Sequence, residues 1–128
     1  MDFNSLGLLI LRTSFGLAMA INHGLPKLFG FSSKMHSFPD PLGIGSTLTL
    51  SLAVSAEFLC AIAIVLGIFT RITVVPLIAT MATAFFIVHM KDPFAAKELA
   101  FLYLVVFSTI FCTGAGKYSV DSIFRGIK

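Results

Sequence analysis

The sequence has little charge for its length. Of its 128 residues, 9 are Lys or Arg and 6 are Asp or Glu, so 12% are charged, against about 25% in an average soluble protein. Hydrophobic residues make up 57%, and the mean hydropathy is +0.98. A soluble helical bundle of this composition would have too little polar surface to cover its body. These values predict a membrane protein, and the length fits one domain over residues 1–128.

Several motifs that carry chemistry in other proteins are missing. The sequence has no run of Lys or Arg that would suit nucleic acid, and no nucleophile elbow, phosphate-binding loop or haem-attachment motif. Its 3 histidines show no HxxH spacing, and Cys60 and Cys112 form no CxxC pair, which argues against a metal site. We therefore predict no catalytic residue, no metal, no covalently bound cofactor and no nucleic-acid partner.

Four apolar stretches predict four membrane-crossing helices. Because a helix rises about 1.5 Å per residue, about 20 residues cross a hydrocarbon core of roughly 30 Å. We predict helices over about residues 5–24, 46–70, 72–90 and 97–113, with a surface loop over residues 25–45. Pro26 follows the first helix, where helices commonly stop. The short connection at Arg71 makes the second and third helices antiparallel neighbours. The fold class is thus all-α, an integral membrane antiparallel four-helix bundle.

Four spans put both termini on one side of the membrane, but charge counting does not identify that side. The residues on the side of the termini are Arg71, Lys117, Arg125 and Lys128, and those on the other side are Lys27, Lys34, Lys91 and Lys97. The count is equal, so the positive-inside rule gives no orientation.

Two charges lie inside apolar stretches. Glu57 is the only charge in residues 46–70, and Arg12 interrupts residues 6–22. Such a charge costs several kcal/mol unless it faces a partner or a polar cavity. We predict an Arg12–Glu57 pair between the first two helices, direct or through water, although Arg12 lies about 9 Å deep and Glu57 roughly 20 Å. The alternative is that both charges only fix helix packing.

A second polar group is predicted at the opposite membrane surface. Antiparallel alternation brings His23, Lys27, His89 and Glu98 near this surface. Such a cluster can donate hydrogen bonds to a quinone carbonyl or pass protons, because histidine titrates near physiological pH. The alternative is that these are solvated residues at helix ends.

The sequence also resembles a known family, through motifs spread in order over nearly the whole chain. These motifs are Leu11-Arg12, Gly16, His23-Gly24-x-x-Lys27-Leu28-Phe29-Gly30, Phe38-Pro39-Asp40-Pro41-Leu42-Gly43, Ala56-Glu57-Phe58, Leu66-Gly67-x-Phe69-Thr70-Arg71, Asp92-Pro93-Phe94, Lys97-Glu98-Leu99-Ala100 and Gly114-Ala115-Gly116-Lys117-Tyr118-Ser119-x-Asp121. Together they resemble the DoxX family of membrane proteins.

The resemblance implies a four-helix bundle in the cytoplasmic membrane of a bacterium or archaeon, with both termini inside. The family takes its name from a subunit linked to thiosulfate:quinone oxidoreduction, and its relatives are associated with redox and stress-related membrane complexes. Distant eukaryotic relatives look like membrane chaperones or cargo receptors.

Three functional hypotheses follow. The first is a small membrane subunit of a redox-linked system that binds quinone or another apolar ligand; it is not an enzyme on its own, but would serve a quinone-linked oxidoreductase. Its partners would be membrane lipid and a redox subunit. The second is a non-catalytic assembly factor or scaffold. The third is transport of a proton or small solute, which requires a homo-oligomer because four helices enclose little space.

Overall fold

A computed structural model describes residues 2–124, and these residues form helices and no strand. The helices are α1 (Phe3–Phe29), α2 (Phe31–Lys34), α3 (Ser46–Leu66), α4 (Thr70–Val88), α5 (Phe94–Thr113) and α6 (Val120–Phe124). Helices α1, α3, α4 and α5 are each long and apolar enough to cross a membrane. The prediction of an all-α membrane bundle is confirmed. Arg125 and Lys128, which entered the charge count, lie outside the described residues.

The four long helices close into one bundle. Helix α1 packs against α3, α3 against α4, and α4 against α5, and α5 returns to contact α1. Large fully buried side chains such as Met19, Ile64, Leu77 and Phe107 form the core between them. Many large apolar side chains instead point outward, as Leu59 does at 63% exposure, which is the arrangement expected where the surrounding solvent is lipid.

Helix α1 is longer than the sequence predicted, because it continues through Pro26 to Phe29. Proline has no N–H, and its ring clashes with the carbonyl four residues earlier in an α-helix. Here the turn over Ala20–Gly24 is a wider π turn, in which the Leu25 N–H donates to the Ala20 carbonyl. We attribute the passage of the helix through the proline to this wider turn.

Helix α3 is shorter than predicted, because it ends at Leu66 rather than near residue 70. Gly67 adopts the left-handed conformation, with φ 74° and ψ 42°, which glycine enters without steric cost and which commonly ends helices. Phe69 is also left-handed, with φ 44°. The Asp121 carboxylate accepts hydrogen bonds from the N–H of Phe69 at 2.7 Å and of Thr70 at 2.9 Å. The C-terminal segment thus fixes the connection between α3 and α4.

The segment between α1 and α3 is closed by Asp40. Its carboxylate accepts hydrogen bonds from the N–H of Gly45 at 2.7 Å and of Ile44 at 3.1 Å, and from the Thr49 hydroxyl at 2.8 Å. The hydrogen bond from Gly45 is the largest of the causes that hold the pKa of Asp40 below its ordinary value, and those from Thr49 and Ile44 act in the same direction. This ionised side chain therefore fastens the segment to the start of α3.

Candidate functional site

The site is built where two π turns meet. Ala20–Gly24 in α1 packs against Ser55–Cys60 in α3. Gly24 lies so close to the facing backbone that a Cβ there would come within 2.5 Å of the Glu57 carbonyl oxygen. Small residues allow such close approach between membrane helices, and π turns often occur at functional sites. This contact fixes the position of Glu57 relative to α1.

Glu57 forms an ion pair with Lys27. Lys27 Nζ lies 2.7 Å from Glu57 Oε1, and the side chains are 21% and 4% exposed respectively. Lys27 follows Pro26, so the continuation of α1 beyond the proline brings its ammonium group to the carboxylate. The buried charge of Glu57 is therefore compensated by α1, as a charge inside a membrane bundle requires.

His23 and Tyr103 complete the site. The half-buried His23 ring meets the buried Tyr103 ring edge-on, with centroids 5.5 Å apart. Within residues 2–124, neither the imidazole nitrogens of His23 nor the Tyr103 hydroxyl forms a hydrogen bond. We call His23, Lys27, Glu57 and Tyr103 the Glu57 site.

Sequence reasoning missed Tyr103. It lies in the middle of α5, surrounded in sequence by apolar residues, and its other ring contacts are with Phe15 and Phe107. One signal was available: Tyr103 is the only one of the 2 tyrosines that falls within a predicted span. A phenol at that depth has a hydroxyl that needs a partner.

The predicted Arg12–Glu57 pair is wrong. Arg12 is 1% exposed, and its guanidinium donates to backbone carbonyls instead. The acceptors are Ile64 O at 3.2 Å from Nε, Ala115 O at 3.1 Å from Nη1 and Tyr118 O at 2.9 Å from Nη2. These carbonyls belong to the last turn of α3 and to the segment after α5, and that of Ile64 also accepts from the Gly67 N–H. Arg12 is therefore bonded to the backbone, whereas Glu57 is paired with Lys27.

The other two predicted site residues lie apart. His89 Nδ1 is 2.8 Å from Asp92 Oδ2, and both side chains are substantially exposed. Glu98 is exposed at the start of α5. In the part of the chain that the structure describes, neither His89 nor Glu98 contacts the Glu57 site through a hydrogen bond, ion pair or ring. The structure thus brings together His23, Lys27 and Glu57 of the six predicted residues, and leaves Arg12, His89 and Glu98 elsewhere.

The side chains of the Glu57 site are suited to hydrogen bonding and proton exchange rather than to metal binding. No group of three or more His, Cys, Asp or Glu side chains within residues 2–124 is arranged to hold a metal ion. An imidazole, an ammonium group and a phenol can each donate a hydrogen bond to a carbonyl oxygen, and the carboxylate can accept a proton.

Comparison with known proteins bears on this arrangement. The family model described as DoxX matches residues 7–90, which is more than half of the chain and includes His23, Lys27 and Glu57. Searches among curated proteins and among solved structures found no match.

Proposed function

Because the chain belongs to the DoxX family and has four helices that could cross a membrane, we propose that it is a small multi-pass membrane subunit of a redox-linked system. In this proposal the Glu57 site binds quinone or another apolar ligand that carries a carbonyl group. The chain would not be an enzyme on its own. It would reside in the cytoplasmic membrane of a bacterium or archaeon with both termini inside, as family membership suggests.

One observation carries the proposal: the donors of His23 and Tyr103 have no hydrogen-bond partner in the described chain although they lie beside a buried ion pair. These donors are not sealed inside the bundle, since the fully buried side-chain atoms without a partner in residues 2–124 are Thr70 Oγ1 and Ser122 Oγ. Inside the hydrocarbon layer no water is present to bond with an accessible donor, so a ligand oxygen would supply the missing partner. A quinone carbonyl oxygen would accept from either ring, and its isoprenoid tail would remain in the apolar phase.

In this proposal the bound quinone is reduced to a quinol, which takes up two electrons and two protons. The electrons would come from a partner redox subunit. His23 would pass protons toward the ligand, since imidazole exchanges protons near neutral pH.

The test measures quinone retained by the purified protein. Wild-type protein extracted in lipid nanodiscs is expected to retain close to one quinone per chain, as measured by solvent extraction and mass spectrometry. Removing a hydrogen bond worth about 1–1.5 kcal/mol should weaken binding about five- to tenfold. Tyr103→Phe and His23→Phe, which each remove a donor and keep a ring, should therefore each retain less quinone than the wild type. Both side chains lack hydrogen-bond partners, so the fold should tolerate these changes.

Tyr118→Phe is the matched control, because Tyr118 lies in the segment after α5 and its side chain is exposed. This variant should retain quinone as the wild type does. Wild-type protein without quinone, or equal loss in Tyr118→Phe and Tyr103→Phe, would contradict the proposal.

A second candidate function, a non-catalytic assembly factor or scaffold, is favoured by Arg12. Its guanidinium joins α1 to the end of α3 and to the segment after α5, which is an arrangement that only holds elements together. This candidate predicts that Arg12→Met lowers the amount of a partner subunit in the membrane, whereas Tyr103→Phe leaves that amount unchanged. Quantifying membrane subunits in cells that carry either variant would separate the two functions.

A further inference from the structure

Two open clefts lie side by side at the end of the bundle that contains Asp2 and Phe124. The first has a volume of about 310 Å³, and six of its nine lining residues have polar side chains, among them Arg71, Lys117 and Ser122. The second has a volume of about 340 Å³ and a mostly apolar lining, which includes Phe69, Ile72 and Phe124. Arg71 and Asp121 line both clefts. A polar and an apolar cleft with a shared wall match the two parts of an amphiphile. We call them the polar cleft and the apolar cleft.

Arg71 is held by two hydrogen bonds, and its third nitrogen has no hydrogen-bond partner in residues 2–124. Its Nε donates to Phe111 O at 3.1 Å and its Nη2 to Cys112 O at 3.2 Å. The guanidinium lies over Gly114, where a Cβ would stand 3.5 Å from Nη2. Its Nη1 forms no hydrogen bond to residues 2–124. The arginine is therefore a fixed cation with one terminal nitrogen available to an anion.

Lys117 provides the second cation of the polar cleft. Its Nζ lies 3.4 Å from Asp2 Oδ2, and its side chain is 48% exposed. An exposed pair at this distance is weak, so the ammonium group can also meet an incoming anion. The acid that lines the polar cleft, Asp121, accepts hydrogen bonds from the N–H groups of Phe69 and Thr70.

The lining also contains two buried hydroxyl groups that lack partners. Ser122 Oγ belongs to the polar cleft and Thr70 Oγ1 to the apolar cleft, and neither forms a hydrogen bond in the described chain. Thr70 is 1% and Ser122 8% exposed. Since buried hydroxyl groups normally have partners, these two independently mark the clefts as places where a ligand oxygen would be accommodated.

We propose that this end of the bundle binds one anionic phospholipid. The phosphate group lies between Arg71 and Lys117 in the polar cleft, and an acyl chain follows Phe69, Ile72 and Phe124, which are 67%, 70% and 83% exposed. Basic pockets between membrane helices are suited to anionic head groups. A free phosphate ion would use only the polar cleft and leave these apolar side chains uncovered, so the combination favours a lipid.

The test compares two lipids that differ only in head-group charge. The full chain is placed in nanodiscs with equal amounts of phosphatidylglycerol and phosphatidylcholine that share the same acyl chains, and retained lipid is measured by native mass spectrometry after detergent release. Each cation near an anionic head group favours binding about fivefold. The wild type should therefore be enriched in phosphatidylglycerol, and Arg71→Gln and Lys117→Gln should each lower that enrichment about fivefold.

Lys34→Gln is the matched control, because Lys34 is an exposed lysine in α2, at the opposite end of the bundle. It should leave the enrichment unchanged. Lys117→Gln removes only a half-exposed side chain, so its result stands even if Arg71→Gln fails to fold after losing two bonds to carbonyls.

Equal retention of the two lipids by the wild type would overturn the proposal, as would an effect of Lys34→Gln as large as that of Lys117→Gln. Displacement of phosphatidylglycerol by millimolar inorganic phosphate or glycerol 3-phosphate would overturn it too, since it would identify a site for free anions. Phe124→Ser provides the test of the apolar cleft: it should reduce retention of both lipids, and unchanged retention would refute the acyl-chain position.

Discussion

The Lys27–Glu57 ion pair should couple these residues energetically, while Arg12 should be independent of Glu57. Two double-mutant cycles measure this coupling. The first consists of Lys27→Met, Glu57→Gln and the double variant, and the second uses Arg12→Met in place of Lys27→Met. Opposite charges 2.7 Å apart attract by about 6 kcal/mol at an effective dielectric constant of 20. Much of this is offset by the desolvation of both groups. We therefore expect a net coupling of about 1–3 kcal/mol for Lys27–Glu57.

The single variants should differ in a characteristic way. Lys27→Met leaves a carboxylate that is 4% exposed without its cation, which costs about 3–5 kcal/mol. Glu57→Gln keeps an oxygen that can accept from Lys27 and removes the buried negative charge, so it should cost less, about 1–3 kcal/mol.

The assay is reversible unfolding in mixed detergent micelles, followed by circular dichroism because the chain has no tryptophan. Lys34→Met with Glu57→Gln gives the baseline for an exposed lysine that does not contact Glu57. A Lys27–Glu57 coupling below about 0.5 kcal/mol, the level seen between independent sites, would refute the geometry of the Glu57 site. An Arg12–Glu57 coupling of the same size as that of Lys27–Glu57 would refute the separation of the two charges.

Three further predictions concern other contacts. Arg12→Lys should lower the free energy of unfolding by about 2–4 kcal/mol in the same assay, because one ammonium group cannot reproduce three guanidinium bonds to carbonyls on two segments; a loss below about 1 kcal/mol would contradict this. Gly24→Ala should destabilise by at least about 1–3 kcal/mol, since its Cβ would lie 2.5 Å from Glu57 O, whereas Gly7→Ala, where a Cβ meets nothing within 4 Å, should not. Because hydrogen bonds lower the pKa of Asp40 below its ordinary value of 3.8, its contribution to stability is present above pH 3.8 and is lost as the pH falls through the lowered pKa; the protection factor of the Gly45 N–H against hydrogen exchange should fall there in the wild type but not in Asp40→Asn.

The class of the fold could be predicted from the sequence because it depends on composition. A chain with 12% charged residues and four long apolar stretches has few ways to satisfy its backbone other than membrane-crossing helices. The start of α3 was also predicted, because a segment rich in Gly and Pro precedes its apolar run. Composition and the positions of apolar stretches can be read from the sequence alone, without knowledge of tertiary contacts.

The end of α1 could not be predicted, because a tertiary contact overrides the local rule for proline. Pro26 reads as a stop, yet the π turn over Ala20–Gly24 carries the helix past it. That turn packs on the π turn of α3 through Gly24. Without the facing backbone, nothing in the local sequence distinguishes this proline from one that ends a helix.

The partner of Arg12 was missed for a different reason. A search for partners among side chains finds only the few ionisable residues in the spans, so Glu57 was the obvious choice despite its different depth. Backbone carbonyls are present at every residue and leave no mark in the sequence. The carbonyls that accept from Arg12 lie at the end of α3 and after α5, and only the folded chain brings these segments together.

Hydrogen-bond saturation, rather than charge, separates the structural residues of this bundle from its candidate functional ones. Arg12 has the most buried charge within residues 2–124, at 1% exposure, but each of its three nitrogens already donates to a fixed carbonyl. It therefore has little left to offer a ligand that comes and goes. His23 and Tyr103 carry less charge, yet their polar atoms have no partner in the described chain. A ligand gains most binding free energy where donors are already positioned and unpaired. Substitutions at Arg12 should therefore change the amount of folded protein, whereas substitutions at His23 and Tyr103 should change which ligand the protein retains.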